Sequence, residues 1–169
     1  MSLRDRTLPE HHLLFMACSG AKLDLPSPAL ELYRGVMYST YRTHLRHSAQ
    51  PRLVILSALH GFLEPQAVIA PYDRRMTAPR AEEMIASIAQ YMGGVTWPTG
   101  IRKIFFAGGA QYRRVMRAAV DHLMRCGQVL PDVVIEATHG GIGYQRAHLG
   151  RYLDTVPSWQ AQRMPSDEN

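Results

Sequence analysis

Ile101-Arg102-Lys103-Ile104-Phe105-Phe106-Ala107-Gly108-Gly109-Ala110-Gln111-Tyr112-Arg113-Arg114 passes from an apolar run through two glycines into a stretch where Val115, Met116, Ala119, Val120, Leu123 and Met124 recur at helical spacing. A strand that gives way to an amphipathic helix is the unit from which parallel sheets are built, because each return to a parallel strand needs a helix-sized crossover. The unit repeats. Leu13 to Ala17 is an apolar run opening into Cys18-Ser19-Gly20, and Leu53-Val54-Ile55-Leu56 opens into Ser57-Ala58-Leu59-His60-Gly61. Val133-Val134-Ile135 starts a fourth strand that exits through Thr138-His139-Gly140-Gly141-Ile142-Gly143. Between the runs, Ser27-Pro28 predicts the start of a helix towards Arg46, with proline at the first helical position where its missing N–H costs nothing. Met84, Ile85, Ile88, Ala89 and Met92 predict a helix from Thr77 to Gly93-Gly94, and Gly127 closes the helix after the third strand.

The expected fold class is therefore α/β: a single domain with a mostly parallel sheet of about four to five strands flanked by helices. Expected boundaries are a flexible N-terminal segment over 1–12, the domain over 13–156 and a polar C-terminal tail over 157–169. With 169 residues, 46% of them hydrophobic, the chain can bury one good core and little more. No apolar stretch approaches the ~20 residues of a membrane-spanning helix, and the first twelve residues lack a secretory pattern. Cys18 and Cys126 are the only cysteines, so no disulfide framework is expected and the chain reads as cytoplasmic.

The formal net charge of +5 rests on arginine, since Lys22 and Lys103 are the only lysines. The guanidinium fork suits phosphate and carboxylate, so the charge permits nucleic acid without requiring it. In open parallel sheets ligands bind beyond the carboxyl ends of the strands. Every apolar run here ends in small or polar residues, which predicts that their loops converge on one pocket. Cys18-Ser19-Gly20-Ala21-Lys22 offers a thiol, a hydroxyl and an ammonium, but lacks P-loop spacing. Ser57 to Pro65 joins a hydroxyl, the His60 imidazole and the Glu64 carboxylate, with Gly61 in the turn. Pro71-Tyr72-Asp73 offers an aromatic face beside an acid, and Gly108-Gly109 with Arg113 suggests an anion-binding helix start. Cys18, His60, Asp73 and His139 show no metal-binding spacing, so neither metal nor cofactor is expected. The pairs His11-His12 and His44 with His47 read as solvated surface residues.

Cys18-Ser19-Gly20-Ala21-Lys22, Leu32-Tyr33-Arg34-Gly35, Ile55 to Pro65 and Pro71-Tyr72-Asp73 together resemble the YaaA superfamily, which includes a bacterial peroxide-stress protein and shorter uncharacterised bacterial and phage relatives. The shorter relatives are the closer match, and the resemblance covers Leu13 to Met76. It implies DNA binding and protection of DNA during oxidative stress. The sequence departs from the stress protein at His60, where that family has tyrosine, and at Asp73, where it has arginine; both alter the charge of the pocket. A more distant similarity is to tRNA-modification enzymes of the archaeosine pathway, in which a Cys-Ser loop with a nearby lysine precedes chemistry on a deazaguanine base. That similarity implies Lys22 as a nucleophile.

The reading that results is a protein binding a nucleotide, a base or a nucleic acid. Ser19, Gly20, Ser57, Gly61, Tyr72, Gly108, Gly109 and Arg113 would bind the ligand, with Tyr72 stacking on a base. The alternative is an enzyme acting on a nucleobase or N-glycosidic bond, with Lys22 or Cys18 attacking and His60 or Asp73 assisting.

Overall fold

A computed structural model of the chain describes residues 11–157; the N-terminal segment up to Glu10 and the tail from Ser158 lie outside the described residues. A five-stranded sheet is formed by β1 (His11–Ala17), β3 (Arg52–Ser57), β4 (Gly61–Leu63), β6 (Ile101–Ala107) and β7 (Val134–Ala137). Its order is β4-β3-β1-β6-β7, parallel throughout except for the edge strand β4, which pairs antiparallel with β3. The α/β class with a mostly parallel sheet is thus the observed architecture. A two-stranded ribbon, β2 (Ser27–Pro28) with β5 (Val68–Ile69), sits apart from the sheet.

The apolar runs are nearly continuous because the sheet is covered on both faces. Leu13 and Phe15 of β1, Val54 and Leu56 of β3, and Ile104 and Phe106 of β6 face one core. That core is closed by α3 (Ala78–Ala86), α4 (Ile88–Tyr91) and α5 (Ala110–Arg125). Leu14 and Met16, Leu53 and Ile55, and Phe105 and Ala107 face the other core, closed by α1 (Ala29–Leu32), α2 (Val36–His44) and α6 (Ile142–Thr155). β1 lies at the centre, with Phe15 opposite Val54 on one side and Phe106 on the other. From it the chain crosses to β3 on the α2 face, then passes over the α3 and α4 face to β6 on the far side of β1. The connections leaving β1 and β6 therefore depart to opposite faces and open a crevice between them, the place where open α/β sheets bind ligands.

Several elements differ from expectation. The helix predicted from Ser27 to Arg46 is two helices: Ser27 and Pro28 are ribbon, and Tyr33 is extended (φ −79°, ψ 123°). The helix from Thr77 breaks at Ser87 (φ −123°, ψ 36°), and Thr77 caps its start, its side chain accepting from the Arg80 N–H at 3.2 Å. α6 was not foreseen, because Gly143 and Gly150 dilute its apolar pattern. β1 opens at His11, two residues ahead of the boundary read from sequence, and β7 begins at Val134, one residue late. His12 is no solvated residue, since its ring stacks on Tyr152 with centroids 6.0 Å apart. His44 is only half-exposed and meets the Asp154 carboxylate at 3.0 Å, whereas His47 is exposed.

The turn after β3 is held from beneath by a buried arginine. Arg80 lies on the inward stripe of α3 with Met84, and its guanidinium donates to the carbonyls of Ala58 (2.8 Å) and Leu59 (3.0 Å) and to the Tyr91 hydroxyl (3.1 Å). Glu83, one turn on, neutralises it at 2.9 Å. Gly61, at φ +81°, takes a left-handed conformation, and a Cβ there would lie 2.8 Å from the Tyr91 carbonyl.

Arg80→Met leaves two carbonyls without donors and is expected to lower the unfolding free energy by about 2–4 kcal/mol, each orphaned buried group costing ~1–3 kcal/mol. Lysine, a single point charge, will not restore the loss. Gly61→Ala is expected to cost about 1–3 kcal/mol from backbone conformation alone. Urea unfolding midpoints check both, and an unchanged midpoint for either variant contradicts the role given to that residue.

Candidate functional site

The loop after β1 is shaped by a clasp. Cys18 N–H continues the sheet by donating to the Leu56 carbonyl at 2.9 Å. The next residues zip against the α1–α2 junction: Leu23 N–H donates to the Leu32 carbonyl and Arg34 N–H to the Ala21 carbonyl, both at 2.9 Å, and Lys22 forms a bridge with Tyr33. Ser19 Oγ accepts from the Gly35 N–H at 3.1 Å and donates to the Ala21 carbonyl at 2.7 Å. The approach is so close that a Cβ on Gly35 would lie 2.6 Å from that of Ser19. Leu32-Tyr33-Arg34-Gly35 is thus the strap that holds the Cys-Ser-Gly-Ala-Lys loop, and this strap is why the predicted long helix is interrupted.

The clasp sets Lys22 over two aromatic rings. Its Nζ lies 4.4 Å from the centre of the Tyr72 ring and 5.8 Å from that of Tyr33. Beneath it runs a chain of hydroxyls. Ser57 Oγ is buried and accepts from the N–H groups of Leu59 (3.2 Å) and His60 (3.0 Å). Its lone pairs are then occupied, so its own proton points to Tyr72 Oη at 2.7 Å, and Tyr72 in turn donates to Tyr33 Oη at 2.7 Å. On the β6 side, Cys18 Sγ and Tyr112 Oη lie 3.1 Å apart, joining the ends of β1 and α5 across the crevice. Tyr38 Oη closes the floor by donating to the Ala17 carbonyl at 3.0 Å.

Burial keeps these phenols protonated. It pushes Tyr33 up to about 12, and lifts Tyr38, Tyr72 and Tyr112 well above their ordinary range, with the nearby Cys18 sulfur adding to each. Burial also lowers His60, whose imidazole meets the Tyr72 ring edge-on with centroids 5.4 Å apart, so it is neutral at neutral pH. Among the described residues no carboxylate pairs with Lys22. The crevice therefore presents one ammonium, one neutral imidazole, a thiol and a run of neutral hydroxyls: a surface suited to an anion and to the polar edge of a planar molecule.

Cys18, Ser19, Lys22, Ser57, His60 and Tyr72 share this site. Gly20 lies in the same loop, its carbonyl accepting from Lys22 Nζ at 3.5 Å. Tyr72 offers no open platform, because Lys22 covers a face, His60 meets its ring and its hydroxyl is tied down. Asp73 is exposed. Gly61 backs onto Tyr91, and Gly20 and Gly109 are exposed, Gly109 as the residue capping α5. Arg113 turns its guanidinium back to the Gly108 carbonyl at 2.8 Å, while the Gly108 N–H donates to Thr138 Oγ1 at 3.1 Å. His139 packs against His148, centroids 5.7 Å apart, and among the described residues no group of three or more His, Cys, Asp or Glu side chains is arranged to hold a metal.

Sequence reasoning missed Tyr33, Tyr38 and Tyr112, and the Arg80 support. The signal for Tyr112 was an aromatic residue in the first turn of a helix leaving a strand end; for Arg80 it was a charge on the stripe shared with Met84 and Ile88.

No curated protein matches the chain. Among solved structures it is similar to AF0587, a protein of unknown function, with 12% identity and a TM-score of 0.47 over 87% of this chain and 46% of that one. The chain thus spans less than half the length of that neighbour. Among the described residues no helix is long and apolar enough to cross a membrane. A family model described as a family of unknown function, DUF6884, matches residues 13–150, from the first buried residue of β1 to the middle of α6. This chain belongs to the DUF6884 family.

Proposed function

We propose that this protein binds a nucleotide, a nucleobase or a nucleic acid in the crevice beyond the carboxyl ends of β1, β3 and β6. The observation that carries the reading is Lys22, an ammonium held over the Tyr72 and Tyr33 rings with no carboxylate paired to it among the described residues. A phosphate would complete that charge, and the N-terminus of the sixteen-residue α5, which has no acidic residue in its first turn, adds partial positive charge on the same side. The exposed, neutral His60 is placed to meet the base. The resemblance of residues 18–22 and 55–65 to the YaaA superfamily points the same way, and a role in protecting DNA under oxidative stress rests on that resemblance.

A second reading is an enzyme acting on a nucleobase or N-glycosidic bond. It is favoured by the directed hydroxyl chain from Ser57 through Tyr72 to Tyr33 beside Lys22 and His60, which is suited to moving a proton. Asp73 is exposed and lies outside that run of hydrogen bonds.

Thermal-shift and calorimetric titration with the common nucleoside monophosphates and their nucleosides tests the proposal. The monophosphates are expected to raise the melting temperature more than the nucleosides do. Lys22→Ala is expected to weaken monophosphate binding about tenfold or more, the loss of a hydrogen bond to a charged group worth ~1.5–3 kcal/mol. Equal binding by the variant, or no shift with any monophosphate, rejects the reading. Release of free base that disappears in Lys22→Ala selects the enzyme.

A further inference from the structure

One helix serves two surfaces. In the first turn of α5, Tyr112 faces the crevice and Cys18. Along another side of the same helix, Arg113, Arg114, Arg117 and Asp121 follow Ala110 at spacings of three and four residues. With Ile85 of α3 they line an open groove of about 600 Å³. From Ala110 to Asp121 the groove runs about 16 Å at the helical rise of 1.5 Å per residue.

The charge on this groove is positive. Its lining holds three arginines and one aspartate, and the aspartate stands at the end away from the crevice. Arg114 is partly exposed; it donates to the Gln111 side-chain oxygen at 2.7 Å and stands 3.8 Å from the Glu82 carboxylate, which is itself mostly in solvent. Arg117 is exposed, and its guanidinium carbon lies 5.7 Å from the centre of the Phe106 ring, which holds the head group along this side of the helix. Arg113, at the start of the groove, donates to the Gly108 carbonyl at 2.8 Å. Arginines strung along a trough are the form a protein gives to a phosphate-backbone track. About 16 Å accommodates roughly five phosphates at the ~3.4 Å rise of a stacked strand.

We propose that the α3–α5 groove is a track for the phosphodiester backbone of a single-stranded nucleic acid, whose end or unpaired base enters the crevice at Lys22. The proposal rests on the nucleotide reading of the crevice for what lies at the upper end of the track. It names the ligand as a strand rather than a free nucleotide. A single strand fits better than a duplex, because a base inside a helix would first have to be unpaired and turned out to reach Lys22. DNA and RNA share the chemistry that the arginines read.

Fluorescence anisotropy of the full chain with labelled oligothymidylate and oligouridylate of about fifteen nucleotides tests it across a salt series. Binding of either is expected, falling with salt. The double variant Arg114→Ala with Arg117→Gln is expected to lose about tenfold or more in affinity and to flatten the log–log salt slope by about 1.4, two phosphate contacts at ~0.7 each. Its affinity for mononucleotides should stay within about twofold of wild type. Arg114→Ala alone, which severs only the Gln111 and Glu82 contacts, should flatten the slope by about half as much, and it serves if the double variant is poorly folded. Failure of both oligonucleotides to bind, an unchanged slope in the variants, tighter binding of a hairpin duplex, or equal displacement by poly-glutamate overturns the track. The two readings fail separately. If mononucleotides do not bind but the arginine variants still lose oligonucleotide, the track stands and the crevice reading falls; if mononucleotides bind and the variants keep full oligonucleotide affinity, the reverse holds.

Discussion

β1 is hydrogen-bonded along one edge to β3 and along the other to β6, while its side chains alternate between two closed cores. A strand without a free edge or a wet face cannot slip by one residue, because a slip would exchange Leu13 and Phe15 with Leu14 and Met16 and unpack both cores at once. Its last residue is therefore placed as firmly as any atom in the molecule. Cys18 begins where that constraint ends, with its N–H still in the ladder and its thiol already in the crevice. Two further site groups take their positions from neighbours of β1: Ser57 from β3 and Tyr112 from the first turn of α5, which follows β6.

Around that anchor the chemistry is arranged by exclusion of charge. Phenols held protonated by burial can give and take hydrogen bonds without carrying charge, so they satisfy Ser57 and Cys18 without attracting or repelling an anion. His60, exposed but partly desolvated, is likewise shifted towards its neutral form. The field in the crevice is then set by Lys22 and the first turn of α5. Two carboxylates of the sheet region serve structure. Glu64 is held by Arg52 at 2.6 Å, and Glu136 is kept below the usual carboxylate range by Lys103 at 2.8 Å, remote from the β1–β6 crevice.

The central strands were legible because two-sided burial writes itself as uninterrupted apolar runs, and the polar residues closing those runs announced where loops would gather. What the sequence concealed were features decided by distant contacts. Tyr33 has adequate helix propensity, yet the strap against Lys22 draws it into extended backbone, so local spacing misread one long helix where there are two. The ribbon of Ser27-Pro28 with Val68-Ile69 pairs segments forty residues apart, too short to leave a period. α6 is anchored by Leu149, Tyr152 and Leu153 against the second core, but its glycines blur that stripe in sequence. In the site, Lys22, Ser57, His60 and Tyr72 could be named from their strand-end positions, whereas the tyrosines from α1, α2 and α5 become neighbours only through topology. Asp73 was suggested by adjacency to Tyr72, yet it is exposed where Tyr72 is half-buried.

The strap that carries Lys22 also decides how the lysine meets a visitor. A surface lysine ordinarily samples many rotamers, a freedom worth about 2 kcal/mol that any immobilising contact must overcome. Here the ammonium already lies over two rings and the backbone is bridged to Tyr33, so part of that freedom was given up when the chain folded. Association at this point thus begins with a cation already positioned, and a visitor forfeits less of the attraction to ordering it.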